Sequence, residues 1–344
     1  MHKVIREDLE QIIARVNLSP LRGKGVLITG GAGMLAAYLV RLMDLLNEEY
    51  DYGIRLGLLV RSRERARTRL GELLDHCGVT VLEQDVCVPI AADQQFDHIV
   101  HAAGAADPGS ITRRPFEVIE ANTVGTSNVC RLAREQGSEI LLLSTREIYG
   151  AVDAASIRED MAGALDPLIS RSCYPESKRC AEAMLLANYS EYGVPFKAAR
   201  IAHAYGPGMA IDNDGRIMAD LMGDMVHHRD LVLKSTGQMK RSFCYISDAV
   251  AALLQVMLRG KAGEAYNVSN EREEITVADL ARLMAAQAGT EVVFRLQDAA
   301  ANSRGYLQIP RVRLDTAKLE ALGWEPRVSL TEGIRRTYRY FTES

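Results

Sequence analysis

No uncharged stretch of this 344-residue chain reaches the ~18 residues needed to span a bilayer. The segment Met1 to Asn17 carries charges throughout, where a secretion signal would have an apolar block. Paired cysteines are also missing. Cys77, Cys87, Cys130, Cys173, Cys180 and Cys244 stand far apart, in neither a disulfide framework nor a zinc-ligand spacing. There is no positive excess: the formal net charge of −4 argues against a general nucleic-acid binder, although local basic spots can still hold a phosphate. Repeats, low-complexity segments and a metal constellation are lacking as well, and His203, His227 and His228 read as structural or solvated side chains. These absences leave a cytoplasmic globular protein with no membrane and no nucleic-acid partner.

What is present is an alternation. Short apolar runs too brief for helices read as buried strands: Gly25–Thr29, Leu56–Val60, Thr80–Leu82, Phe96–His101, Glu139–Leu143 and Lys197–Ile201. Helical patterns separate most of them, at Met34–Leu46, Arg63–Cys77, Ile111–Gln136 and Ser177–Tyr192. This rhythm predicts an α/β fold, a doubly wound parallel sheet of the Rossmann class covered on both faces. Residues 1–20 read as an amphipathic helical extension that packs on the main domain, with Leu9, Ile12, Ile13 and Val16 on one face. The dinucleotide-binding domain is expected over 21–205. After the loop signals Gly206-Pro207-Gly208 and Asp212–Gly215, a smaller C-terminal α/β substrate-binding lobe is expected over most of 206–344. Its helical patches are Arg216–His227, Val250–Arg259 and Val277–Gly289, with short strands at Leu231–Leu233 and Ala265–Val268.

The first strand runs into Thr29-Gly30-Gly31-Ala32-Gly33-Met34-Leu35-Ala36. Gly30 and Gly33 allow a sharp turn and the approach of a pyrophosphate, while the amides at Met34 and Leu35 open a helix whose positive end faces that phosphate. Glycine-rich turns also occur without ligands. Between a buried strand and a helix, in the first βαβ unit, the dinucleotide reading prevails. NAD-specific folds usually close the second strand with an acid that accepts the ribose hydroxyls. Here Arg61, Ser62 and Arg63 follow instead, a set that favours the 2′-phosphate of NADP over NAD.

The Thr29-Gly-Gly-x-Gly-x-x-Ala36 spacing is followed by Asp85-Val86, His101-Ala102-Ala103-Gly104, Asn122 and Tyr174-x-x-x-Lys178. In this order the motifs resemble the extended short-chain dehydrogenases/reductases, the nucleotide-sugar epimerases, dehydratases and decarboxylases, over essentially the whole chain. Ser144–Gly150, Arg171–Arg179 and Tyr205–Met209 leading to Asp214-Gly215-Arg216 are similar to the same stretches of UDP-glucuronate decarboxylases and their dehydratase relatives. Arg241–Asp248 and Leu322–Pro326 are typical of the wider group. By that resemblance Asp85 and Val86 flank the adenine, and Ala102, Ala103 and Gly104 run beside the cofactor phosphates. Asn122 fixes backbone or water geometry, or is simply a helix-interior polar residue.

Tyr174 and Lys178 are four apart and share one face of a helix. A phenol with an ordinary pKa of about 10 is a poor base at neutral pH, and a nearby ammonium lowers that value. The expected roles are Tyr174 taking the proton of a sugar hydroxyl, Lys178 stabilising the phenolate and holding the nicotinamide ribose, and Thr145 hydrogen-bonding the same hydroxyl. Oxidation at C4 acidifies C5–H and labilises a carboxylate at C5, so one ketone serves several outcomes. Glu147 is the candidate acid/base that selects among them. Dehydratases typically carry Asp-Glu after the Thr and decarboxylases Ser-Glu; this chain has Arg146-Glu147. A guanidinium is no ordinary proton donor, so Arg146 either clamps a C6 carboxylate or turns away into a salt bridge. Arg216, Arg241 and Arg311 are the candidates for the nucleotide diphosphate, because forked donors match phosphate oxygens.

The expected function is therefore that of an NAD(P)-dependent lyase acting on a nucleotide-diphosphate sugar, by decarboxylation or 4,6-dehydration. A 4-epimerase and a non-catalytic dinucleotide sensor are the alternatives. The resemblance also implies a homodimer formed through Ile111–Gln136 and Ser177–Tyr192.

Overall fold

The computed structural model describes residues 1–212, 214–296 and 313–343. Seven parallel strands form its central sheet: β1 (Gly25–Thr29), β2 (Arg55–Val60), β3 (Val79–Glu83), β4 (His98–His101), β5 (Glu139–Thr145), β6 (Phe196–Ile201) and β7 (Glu264–Val268). Their spatial order is β3-β2-β1-β4-β5-β6-β7, with the reversal between β1 and β4. Such a switch point opens a crevice at the carboxyl ends of the strands.

Alternate side chains of one strand enter two different cores. Val26 and Ile28 pack on the face covered by α2 (Met34–Tyr50) and α8 (Ile246–Arg259), whereas Leu27 packs on the face covered by α5 (Pro115–Gln136) and α6 (Cys173–Tyr192). The continuous apolar run of β1 follows from burial on both sides.

The structure refines several expected boundaries. α2 continues to Tyr50 and ends at Asp51, whose φ of +52° accepts the left-handed turn. The expected helix Arg63–Cys77 stops at Leu70 as α3, because Gly71 at φ +66° breaks it and a 3₁₀ turn follows. Ile111–Gln136 is two helices, α4 (Pro108–Arg113) and α5. Arg114, at φ −138° and ψ 56°, cannot stay helical ahead of Pro115. α6 begins at Cys173, four residues before the expected start, with Pro175 tolerated in its first turn. The strand expected within the C-terminal lobe is β7, which pairs in parallel with β6 and brings that part of the chain back to the main sheet. The short strand Leu231–Leu233 pairs with Val292–Phe294 beside α7 (Ile217–Val226) and α9 (Val277–Ala288).

The N-terminal helix α1 (Lys3–Arg15) is built into the core through its charges as well as its apolar stripe. Arg15 meets the buried Asp248 of α8 at 2.6 Å, and Asp248 also accepts the backbone N–H groups of Arg327 and Val328. Asp8 is fully buried. It accepts the hydroxyls of Tyr38 and Tyr245 at 3.1 and 2.8 Å and pairs with Arg336 at 2.9 Å. Arg336 lies on the C-terminal helix Leu330–Thr342, so this one carboxylate joins both ends of the chain.

Burial pushes the Asp8 carboxyl up from 3.8 to about 6, against the pull of Tyr245 and Arg336. Between these values the folded chain holds a proton that the unfolded chain has released. The stabilisation from that proton is present below about 4 and is lost as the pH rises through about 6. Asp8→Asn is expected to flatten the plot of unfolding free energy against pH in this window. An unchanged slope would mean that another group sets it.

Candidate active site

The loop after β1 is shaped by backbone geometry. Gly30 sits at φ +67°, and a Cβ there would lie 2.8 Å from Ala103 Cα in the loop after β4. Only a residue without a side chain permits that approach. Gly33 caps α2 without any side-chain bond to the first-turn amides, and that turn contains no acid. An anion is the natural partner for such a helix end.

A buried relay fixes the neighbouring loop. Thr29 Oγ1 accepts the N–H groups of Ala102 and Ala103 at 3.2 and 3.1 Å, so its own proton goes to His101 Nδ1 at 2.9 Å. Nε2 of the neutral ring is then the protonated nitrogen. It donates to Thr126 Oγ1 at 3.1 Å, and Thr126 donates to Asn122 O at 2.6 Å. Burial, aided by the charge of Lys178, holds the His101 imidazole down at about 3 and hence neutral.

Asn122 Nδ2 donates to Ser177 Oγ at 2.9 Å, and Ser177 donates back to Tyr174 O at 3.0 Å. Its Oδ1 is buried without a hydrogen-bond partner among the described residues and faces Gly104, where a Cβ would meet it at 2.7 Å. Asn122 therefore binds α5 to α6 through its side chain, beyond the backbone bond that a helix-interior polar residue would make.

β5 ends at Thr145, and a 3₁₀ turn over Arg146–Tyr149 follows at once. Thr145 Oγ1 accepts the N–H of Glu147 at 3.2 Å. Glu147 Oε1 accepts from Arg171 Nη2 at 2.8 Å, while its Oε2 is buried without a partner among the described residues. The Arg171 guanidinium lies 5.6 Å from the centre of the Tyr174 ring. Thr145, Glu147, Arg171 and Tyr174 thus form one cluster at the carboxyl end of the sheet. Arg171 carries no local signal for this role, since its partner lies 24 positions away, beyond any local spacing rule.

The electrostatics depart from the expected scheme. Burial and the charge of Glu147 push the Tyr174 phenol well above its ordinary value, and the groups pulling it down are Thr145, Arg171 and Arg216. Lys178, expected to do this, directs Nζ to Leu143 O at 2.9 Å, and burial lowers its ammonium to about 8 against the pull of Glu182.

The other candidates are dispersed. Arg216 caps α7 and makes a forked pair with the buried Asp214, close enough to Tyr174 for its charge to be felt. Arg241 lines a cavity of about 410 Å³ with Ala154, Lys240, Glu274 and Arg313. Arg146 is half-buried at the start of the 3₁₀ turn. Arg311 lies outside the described residues. After β2, Arg61 and Arg63 are exposed, and Ser62 accepts the Arg65 N–H as the cap of α3. Asp85 accepts the N–H of Cys87, and Val86 is buried with its carbonyl held by Asn128. Away from the crevice, ligand atoms of Asp44, Glu48 and His76 lie within 4.8 Å of one another, and His76 is already paired with Asp44.

A doubly wound parallel sheet with a glycine-rich turn opening a helix at its switch point defines a class, the Rossmann-type dinucleotide-binding proteins. The chain belongs to the NAD dependent epimerase/dehydratase family, whose family model matches residues 26–269. It is 32% identical over 313 residues to UDP-glucuronic acid decarboxylase 6 of Arabidopsis thaliana, covering 90% of this chain and 86% of that one. UDP-glucuronic acid decarboxylase 1 of Xenopus tropicalis is 30% identical over 326 residues, covering 94% and 73%. Among solved structures, the dTDP-glucose 4,6-dehydratase DesIV of Streptomyces venezuelae, with NAD bound, superposes with a TM-score of 0.79 at 24% identity, covering 93% of this chain and 97% of that one. The chain is thus a nucleotide-sugar-modifying NAD enzyme with a Rossmann-type sheet. Among the described residues no helix is long and apolar enough to cross a membrane.

Thr29→Val keeps the shape of the side chain and removes the acceptor for two loop amides. Each buried N–H left without a partner costs about 1–3 kcal/mol. The expected result is a loss of unfolding free energy in urea together with weaker binding in an NADH fluorescence titration. Unchanged values for both would show that the relay does not hold the loop.

Proposed function

We propose that this enzyme oxidises C4 of a UDP-linked uronate and then releases the C6 carboxylate as carbon dioxide, with 4,6-dehydration of a hexose nucleotide as the neighbouring possibility for the same ketone. The observation that carries this is the cluster of Thr145, Glu147, Arg171 and Tyr174, with two arginines beside the phenol. Gly30, Gly33 and the first amides of α2, at Met34 and Leu35, form a cradle that fits the dinucleotide pyrophosphate. Asp85 and Val86 are assigned to the adenine, and the loop at 102–104 to the side of the phosphates. The dinucleotide supplies the hydride acceptor for the oxidation.

The chain's own groups carry the protons. Tyr174 takes the proton of the C4 hydroxyl, Thr145 donates to the phenolate oxygen, and Lys178 holds its side of the site positive. Arg171 and Arg216 stabilise negative charge next to the ring, which suits an anionic sugar; Arg146, at the turn that follows β5, is assigned to assist them. Once C4 is a ketone, the C5–C6 bond breaks with its electron pair drawn into the carbonyl, and C5 is then protonated. Glu147 is the acid/base for that C5 proton. Arg241, in its own cavity, and Arg311 are assigned to the nucleotide diphosphate.

Arg61 and Arg63, with no acid closing β2, support a preference for NADP, which paired titrations with NAD and NADP read directly. Phe116 and Ile119 on α5, with Leu186, Tyr189 and Tyr192 on α6, leave apolar surface exposed on two helices packed against each other. That surface supports a homodimer, and light scattering reads the mass. The six unbridged thiols suit a reducing cytoplasm.

A 4-epimerase is the second reading, favoured by the engagement of Glu147 with Arg171, which commits one carboxylate oxygen to a partner within the protein. Mass spectrometry separates the two. With UDP-glucuronate the expected product has lost carbon dioxide. Glu147→Gln should abolish that loss, and Tyr174→Phe should slow turnover by about 10²–10⁴-fold. Constant mass with altered chromatographic mobility, in both wild type and Glu147→Gln, would replace the lyase with an epimerase.

A further inference from the structure

One helical turn beyond Lys178 on α6 stands Glu182, a residue outside the expected catalytic set. Its Oε1 accepts a 2.5 Å hydrogen bond from Ser144 Oγ on β5. Arg200 on β6 grips the same carboxylate, with Nη2 at 2.7 Å from Oε2 and Nε at 3.2 Å from both oxygens. Both side chains are nearly buried, at 13% and 14% exposure. Arg200 also donates to Tyr149 OH at 2.9 Å, and Tyr149 donates to Asn267 Oδ1 on β7 at 2.6 Å. Two adjacent strands, β5 and β6, therefore converge on one carboxylate of α6, and β7 is joined to Arg200 through Tyr149.

The position of Ser144 is what matters. It lies between Leu143, whose carbonyl receives Lys178 Nζ, and Thr145, which hydrogen-bonds Tyr174. Two bonds one turn apart, from Lys178 and to Glu182, fasten α6 against the three residues that end β5. A buried ion pair is poor ground for stability, because a well-packed apolar pair often does as well. Its distinct contributions are fixed geometry and fixed charge.

We propose that Glu182 is a positioning residue for the Tyr174–Lys178 pair, locking the catalytic turn of α6 to the end of β5 and setting a negative charge toward the Lys178 ammonium. This rests on the reading of Tyr174 and Lys178 given above. The groups around Lys178 are Glu182 on its own helix, Arg200 reaching it through Glu182 from β6, the neutral His101 on β4, and Tyr174. Glu182 is the anion that opposes the lowering of Lys178 by burial. In Glu182→Gln that charge is gone and Arg200 is left as an unpaired buried cation. Lys178 should then release its proton at lower pH, and activity should fall off earlier on the alkaline side.

The test uses the dinucleotide-bound protein labelled with ¹³C-lysine, following the Cε signal of Lys178 through a pH titration, with Lys178→Met to assign it. Glu182→Gln is expected to lower the midpoint by about one unit or more, a tenfold weaker hold on the proton. Glu182→Asp, which keeps the charge, should recover most of the shift. A Gln variant of native melting temperature whose midpoint equals that of wild type overturns the electrostatic role. Should the Gln variant not fold, Ser144→Ala tests the lock alone. Its kcat is expected to drop about tenfold or more at constant KM, with the lysine titration unmoved; an unchanged kcat overturns the lock. The NMR titration needs no substrate, so a wrong sugar assignment leaves it intact. Full activity in Lys178→Met would instead sink the Tyr-Lys chemistry itself.

Discussion

A buried ammonium organises this enzyme. Lys178 is 4% exposed, and an unpaired charge at such a depth would ordinarily be neutralised. The fold meets that constraint by ending β5 against α6, so that Leu143 O receives the ammonium and Glu182 stands one turn away. The same contact fixes where Tyr174 can be, since four residues of helix separate the two side chains. It also fixes Thr145, two residues past the carbonyl that Lys178 holds. Sheet register, helix register and the geometry of the candidate site thus reduce to one packing relation between a strand end and a helix.

The glycine turn after β1 shows the same economy of parts. Thr29 belongs to β1 yet holds amides that follow β4, so the two strands flanking the topological switch share a single hydroxyl. His101 and Thr126 extend that hydroxyl to α5, and Asn122 passes the connection to Ser177 on α6. The glycine turn after β1 and the helix of Tyr174 are therefore linked through buried neutral groups, none of which can be removed without leaving a donor or acceptor unmatched.

Much of this was legible in the sequence, for reasons that differ element by element. The strand at 25–29 and the turn at Gly30 and Gly33 could be read because short apolar runs and glycines are local signals. The break at Pro115 is an equally local signal, but the apolar periodicity runs on across it and hides the restriction that proline places on Arg114. The C-terminal strand β7 was found as a strand but set in the lobe, since nothing in Glu264–Val268 specifies its partner. Tyr174, Lys178, Thr145 and Glu147 could be nominated from spacing and resemblance. Arg171 and Arg200 could not, because their roles depend on contacts across 24 and 18 positions. Glu182 was within reach, four residues after a lysine on a helix, yet the same spacing describes many surface pairs.

The charge pattern around Tyr174 bears on what the site prefers to bind. Glu147 disfavours the phenolate, and a sugar carboxylate would add a further negative charge. Against these stand Arg171, pairing with Glu147, and Arg216, forked to Asp214. Each arginine is thus partly neutralised by a carboxylate of the protein itself. Under the proposed decarboxylation, an anionic sugar would compete with Glu147 for Arg171, and in winning that contact it would loosen the carboxylate proposed to handle the C5 proton. A neutral hexose offers no such exchange and would leave Glu147 clamped. The order of events that a decarboxylation requires, with anion recognition before acid/base work at C5, is therefore consistent with a single shared guanidinium.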